Sequence, residues 1–260
     1  MTEPGIVSAL ERTPDESIGA SVMPGAGQPE NTLVSRADVA APNPAAPQKP
    51  LLRGWLHAGA AVLALIVTVG LAIASAGDRP KQVSLIIYGA SSILLFGCSA
   101  LYHLGNWRPS VRAALRRLDH ANIFILIAGT YTPIAFNVLS GWWRIGLLVT
   151  IWGLAVLGVS AAAPALRIPR QVMVALYIGM GWVALAAIPP IVAAVGMGAM
   201  LLLVLGGVFY TLGALAYAFH WPALWPRVFG YHEVFHLATI AASASFLTFM
   251  IVAVLPFARV

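Results

Sequence analysis

Between Gln171 and Phe219 the chain reads QVMVALYIGMGWVALAAIPPIVAAVGMGAMLLLVLGGVFYTLGALAYAF, and no Asp, Glu, Lys or Arg occurs from Arg170 to Arg227. An α-helix rises about 1.5 Å per residue, so as one helix this stretch would exceed roughly 70 Å. The hydrocarbon core of a bilayer is only about 30 Å thick. Pro189-Pro190 and Gly196-Met197-Gly198 are the punctuation that would break it. The stretch is therefore predicted to cross twice, as Gln171–Pro189 and Met197–Phe219. Outward from it, apolar runs of spanning length occupy Gly54–Ala76, Gln82–Gly105, Arg117–Leu139 and Trp142–Ala163 on one side and His232–Pro256 on the other. The predicted fold class is an all-α membrane protein, a seven-transmembrane helix bundle over residues 51–260.

Composition agrees. Of 260 residues, 60% are hydrophobic and 9% charged, where soluble chains carry roughly 25% charged residues. That deficit excludes an ordinary soluble enzyme of this length. The formal net charge is +6, but it is unevenly spread. Residues 1–50 hold three basic and six acidic side chains, whereas residues 51–260 hold twelve basic and three acidic ones, Asp78, Asp119 and Glu233. The basic excess thus belongs to the apolar part and reads as loop charge facing anionic lipid; no nucleic-acid partner is expected. A single cysteine, Cys98, excludes an intrachain disulfide and a cysteine metal cluster.

Residues 1–50 are predicted to be a disordered tail. Eight of the 18 prolines lie there, and few apolar residues adjoin one another. No basic segment followed by an apolar one marks a cleavable signal, so the tail is expected to persist. Orientation follows from Lys and Arg. Lys49, Arg53, Arg108, Arg112, Arg116, Arg117, Arg167, Arg170 and Arg227 fall on the N-terminal side, nine in all, against four opposite: Arg79, Lys81, Arg144 and Arg259. This predicts a multi-pass protein of the cell membrane with a cytoplasmic N-terminus and an external C-terminus.

Ionisable residues inside membrane spans cost roughly 2.5–3.5 kcal/mol each and are read first as functional. All six histidines follow residue 50. His103 ends the second run and Asp119 opens the third, on the cytoplasmic side. Four more crossings bring the chain back to that side, where His232 and His236 open the last run. His232 and His236 are spaced i, i+4, on one helical face, and can share a metal ion; Ser99 and His103 repeat the spacing. Three His and an open fourth position are the pattern of a catalytic zinc site. Asp119 is then a carboxylate able to hold a water or orient a ligand; a plain helix N-terminal acid or a partner for Arg116 or Arg117 are its alternatives. His57 and His220 are read as interfacial. His120 points about 100° away from Asp119 on a helix and stays outside the ligand set. Haem is disfavoured, because an i, i+4 pair on one helix cannot offer both faces to one iron. His232-Glu233-Val234-Phe235-His236 also matches H-E-x-x-H, the zinc metalloprotease pattern. That reading would want a later carboxylate ligand, and no acid follows Glu233.

At these residues the chain resembles a known family. Ser99-Ala100-Leu101-Tyr102-His103, Leu118-Asp119-His120 with Ala128-Gly129-Thr130-Tyr131-Thr132-Pro133, and Gly230-Tyr231-His232-Glu233-Val234-Phe235-His236 look like the motifs of the hemolysin III proteins. These are the bacterial branch of the progestin and adipoQ receptor family (PAQR). The resemblance covers about residues 50–260. It implies zinc near the cytoplasmic side, held by His103, His232 and His236, with Asp119 holding the zinc-bound water and Ser99 nearby. The wider superfamily includes alkaline ceramidases, so the resemblance implies hydrolysis of a lipid amide, with membrane lipids as substrate and a part in membrane-lipid homeostasis. The expected activity is thus that of a zinc-dependent hydrolase, with Asp119 and Ser99 as catalytic groups. The competing expectation is a receptor-like or sensor bundle in which zinc is structural.

Overall fold

Backbone in lipid must satisfy its own hydrogen bonds, and for these apolar runs that means helices. A computed structural model of the chain describes residues 50–163, 168–222, 224–225 and 228–258. Nearly all of the expected tail lies outside the described residues, as do Lys49, Arg167, Arg227 and Arg259 of the charge comparison. The helices are α1 (Trp55–Ala74), α2 (Arg79–Leu104), α3 (Pro109–Val138), α4 (Gly141–Ala161), α5 (Arg170–Gly181), α6 (Ile188–Phe219) and α7 (Tyr231–Phe249). A 3₁₀ turn, Trp182–Ala187, joins α5 to α6, and a π-helical turn, Met250–Val254, continues α7. Among the described residues six helical segments are long and apolar enough to cross a membrane, with Arg170–Phe219 counted as one of them.

Local chemistry sets the ends. At the start of α2 the Asp78 carboxylate accepts the Lys81 N–H at 3.1 Å, and Pro80 sits in the first turn, where a missing N–H costs nothing. Pro109 likewise opens α3, two turns before the apolar run at Arg117. The arginines there end the run but not the helix, because charge limits membrane depth and not helicity. α3 is the central element: 78% of its apolar window is buried, against 17% for α1. Phe124, Ala128 and Ile134 of α3 pack with Leu85 of α2, Ile151 of α4 and Phe249 of α7 in the main core.

The stretch from Arg170 to Phe219 corrects one expectation. Pro189-Pro190 does not break the chain; the prolines sit in the first turn of α6. Helical geometry fails before them, in the 3₁₀ turn, and after them at Gly196, whose φ of 81° suits only glycine. The Tyr131 hydroxyl on α3 serves the 3₁₀ turn, donating to the Gly181 carbonyl at 2.6 Å and accepting the Ala184 N–H at 2.7 Å. Arms of about 39 Å and 35 Å flank Gly196, and their far ends meet: Arg170 Nη2 donates to the Ala218 carbonyl at 3.0 Å and contacts the His220 ring. The stretch folds back on itself. Its return arm packs on α7 inside the bundle, where a Cβ on Gly213 would lie 2.7 Å from the Ala238 Cβ.

This layout collects polar groups at both ends of the bundle. At one end the buried Lys81 ammonium donates to the Leu255 and Phe257 carbonyls at 2.9 and 2.8 Å, tying α2 to the chain after α7. Nearby on α3, Asn137 Nδ2 donates to Ser84 Oγ and the Pro133 carbonyl. The other end holds the start of α1, the end of α2 and the start of α7, and with them most of the histidines.

Candidate metal centre

His103 reaches this end from the last turn of α2, and His232 and His236 reach it from the first two turns of α7. The three side chains offer ligand nitrogens that all lie within 4.8 Å of one another. His103 Nε2 and His232 Nε2 are 3.1 Å apart. Two nitrogens on a tetrahedral zinc, with bonds of about 2.0–2.1 Å, sit roughly 3.3 Å apart. The spacing fits a shared ion. His103 and His236 are buried and His232 half-buried.

Asp119 stands beside them, its Oδ2 3.9 Å from His103 Nε2. The buried Ser99 hydroxyl, one helical turn before His103, lies near the Asp119 carboxylate. His120 remains apart; its carbonyl accepts the Tyr177 hydroxyl and its ring lies 6.4 Å from that of Tyr217. His220 caps α6 in a left-handed conformation and bonds Arg170, away from the trio.

Glu233, the acid of the H-E-x-x-H match, is fully buried and turned to another task. It takes an ion pair from Arg53 Nε at 2.5 Å and accepts the Gly230 N–H at 2.9 Å, closing the first turn of α7. A carboxylate committed to both partners is not a general base for the trio, so the protease pattern has no chemistry behind it here.

His57 is the residue the sequence reading missed. It was expected to be interfacial, yet it is 2% exposed. Its ring stacks on His236 with centroids 3.7 Å apart and planes 13° from parallel, and it makes a T-shaped contact with Phe96. Parallel stacked rings cannot both aim in-plane lone pairs at one ion, so His57 supports a ligand and is not one. Among the described residues, neither His57 ring nitrogen nor His236 Nδ1 meets a hydrogen-bond partner; the approach to the His236 backbone falls short of bonding geometry. Close approach of α1 to α2 makes the stack possible. Gly54 precedes α1 with φ 89°, and a Cβ there would lie 2.8 Å from the His103 Cβ. The available signal was position: His57 lies one turn into the first run, at the depth of the other histidines.

His103, His232, Asp119 and Ser99 line a cavity of about 900 Å³ that runs into the bundle between α3, α5, α6 and α7, while the buried His236 stands outside its lining. Its inner wall is apolar, with Leu126, Ile134, Leu203 and Phe246, and its mouth carries arginines. The arrangement offers a cation site beside a half-buried carboxylate, opening onto space for an apolar chain.

Known proteins match along most of this framework. The family model described as haemolysin-III related matches residues 45–247. The hemolysin-3 homolog of Bacillus subtilis (strain 168) is 31% identical over 174 residues, 66% of this chain and 78% of the relative. Hemolysin-3 of Bacillus cereus is 32% identical over 202 residues, 77% of this chain and 89% of the relative. The match takes in α1 through most of α7, and with them every residue of the trio, so this chain, a membrane protein, belongs to the haemolysin-III related family.

Proposed function

We propose that this chain is a zinc-dependent hydrolase of lipid amides, working from within the cell membrane as part of membrane-lipid homeostasis. The carrying observation is the company the histidines keep: a convergent trio, two of whose members, His103 and His232, share the wall of one largely apolar cavity with a half-buried carboxylate. His103, His232 and His236 would hold the ion. Zinc suits three imidazoles, and when bound it supplies Lewis acidity toward a carbonyl and an activated water. Asp119 Oδ2 takes the proton of the attacking water. Ser99 keeps that carboxylate oriented and, on switching partner, donates to the carbonyl oxygen of the lipid. The acyl carbon gains the water oxygen, the C–N bond breaks, and the amine leaves with the proton from Asp119. The acyl chain occupies the apolar bore.

The topology belongs to the same proposal. The chain crosses seven times, with Arg170–Phe219 supplying two crossings, which puts the N-terminus and the trio on the cytoplasmic side. The meeting of Arg170 with Ala218 and His220 supports it. Reporter fusions at the two ends should report opposite sides; the same side for both would mean an even number of crossings.

The competing function is a sensor bundle in which zinc is structural. The observation in its favour is the 3.9 Å from Asp119 to His103, short enough for Asp119 to become a fourth ligand. Purified protein of measured zinc content, incubated with a membrane-lipid extract, separates the two. Free fatty acid that appears with zinc and stops on chelation supports the hydrolase. No release from zinc-loaded protein, with melting on chelation, supports the structural role.

A further inference from the structure

Two of the three histidines are backed in the same way, His103 from α2 and α3 and His232 from α5 and α6. His103 packs against Tyr102 with centroids 4.5 Å apart, and the Arg112 guanidinium lies over the Tyr102 ring at 5.4 Å. His232 meets Tyr217 edge-on at 5.6 Å, and the Arg170 guanidinium lies over the Tyr217 ring at 5.1 Å. Each ladder runs arginine, tyrosine, histidine. All six side chains line the cavity that holds Asp119.

Charge at the mouth is one-sided. Five arginines line the cavity, Arg53, Arg112, Arg116, Arg117 and Arg170, against one carboxylate, Asp119. Arg53 is neutralised by Glu233. Neither Arg112 nor Arg170 pairs with a carboxylate among the described residues. An arginine at a membrane edge ordinarily swings out to the phosphates of the bilayer. These two are instead seated on aromatic faces, and Arg170 is further fixed by the Ala218 carbonyl and the His220 ring. A guanidinium has five N–H donors, so even Arg170 keeps donors to spend. Planar guanidinium forks match phosphate oxygens, two bonds at a time.

We propose that the cavity selects an N-acyl lipid whose headgroup carries a phosphate, gripped by Arg112 and Arg170 while the acyl chain fills the bore. The inference rests on the lipid-amide reading of the same cavity and narrows it. One tyrosine ring separates each guanidinium from the trio, so the phosphate sits a few bonds from the amide. Ceramide and other uncharged amides would leave both arginines without a counter-charge.

The test is binding of matched ceramide 1-phosphate and ceramide to the zinc-loaded full chain in uncharged maltoside detergent, followed by native mass spectrometry. Ceramide 1-phosphate should bind roughly ten-fold tighter, the worth of one hydrogen bond to a charged group. Arg112→Gln and Arg170→Gln should each bring it down toward the neutral lipid. Arg112 is exposed, so its variant keeps the test usable if Arg170→Gln fails to fold, and zinc content checks both. Equal affinity for the two lipids overturns the headgroup claim and leaves a lipid cavity standing. Binding of neither lipid overturns the lipid-amide reading itself. A preference for phosphate that survives both substitutions overturns the assignment to these arginines. Displacement of ceramide 1-phosphate by millimolar inorganic phosphate would make this a free-anion site and overturn the proposal.

Discussion

The two ends of the bundle both bury polar side chains, but they finish them differently. At the Lys81 end the ammonium meets two backbone carbonyls, and Asn137 bridges Ser84 and Pro133; among the described residues only Asn137 Oδ1 is left over there. At the His103 end three ring nitrogens, two on His57 and one on His236, find no partner, and a carboxylate stands 3.9 Å from an imidazole. Buried polar groups are nearly always satisfied, and an unsatisfied one costs about 1–3 kcal/mol. A cluster closed on itself holds the fold. A cluster open toward a cavity is held ready for something the chain does not itself supply.

The largest expected effect separates the ends outright. His103→Ala, His232→Ala and His236→Ala should each lose most of the bound zinc by elemental analysis, because a site with three protein ligands cannot spare one. Lys81→Met should keep its zinc and instead lower the melting temperature in detergent. Zinc retained in all three histidine variants would erase the distinction between the ends.

Next in size is Glu233→Gln. It strands the Arg53 guanidinium and should cost about 3 kcal/mol, the low end for a broken buried pair because Arg53 keeps some solvent contact. Zinc should stay. Hydrolysis lost with stability and zinc intact would return Glu233 to the chemistry.

Asp119→Ala comes third. Removing a carboxylate that supports a metal site weakens binding by roughly 10–100-fold, so most zinc should remain at saturating metal while fatty-acid release stops. Zinc lost as fully as in the histidine variants would make Asp119 a ligand and the centre structural.

The smallest effect sharpens the comparison. A stacked aromatic pair contributes about 0.5–1.5 kcal/mol, so His57→Ala should weaken zinc binding by up to about ten-fold. His57→Phe keeps the stack and should match the native affinity. A Phe variant as weak as the Ala variant would show that the His57 nitrogens, and not the ring face, serve the site.

How much of this was legible follows from the range of each signal. The trio could be read because two of its members are one helical turn apart and the third shares their depth by crossing parity. Ser99 and Asp119 follow by the same rule, and the structure brings them together. The Arg53–Glu233 pair spans 180 residues and leaves no pattern in the sequence. His57 was hidden by a sound general rule, that a lone histidine near a membrane edge is usually wetted there. Only the left-handed Gly54, which seats α1 against His103, overrides it. The proline pair misled because Pro-Pro ends a helix when inside one and starts a helix when in its first turn; residue identity does not distinguish these. The 3₁₀ turn could not be foreseen, since it depends on a hydroxyl from Tyr131, some fifty positions away.

The fold-back of Arg170–Phe219 bears on how the chain enters a membrane during synthesis. A segment that leaves one face and returns to it must carry its reversal through the hydrocarbon. Each Lys, Arg or Asp at mid-membrane would oppose that passage by roughly 2.5–3.5 kcal/mol. Here the reversal at Gly196 is carried by glycine, methionine and alanine, and the stretch holds no charge after Arg170. Nothing in it would orient either arm alone. On the proposed seven-crossing topology the two arms would insert as one hairpin with Arg170 at its base, so a charge placed at Met197 should stall insertion before it disturbs any packing.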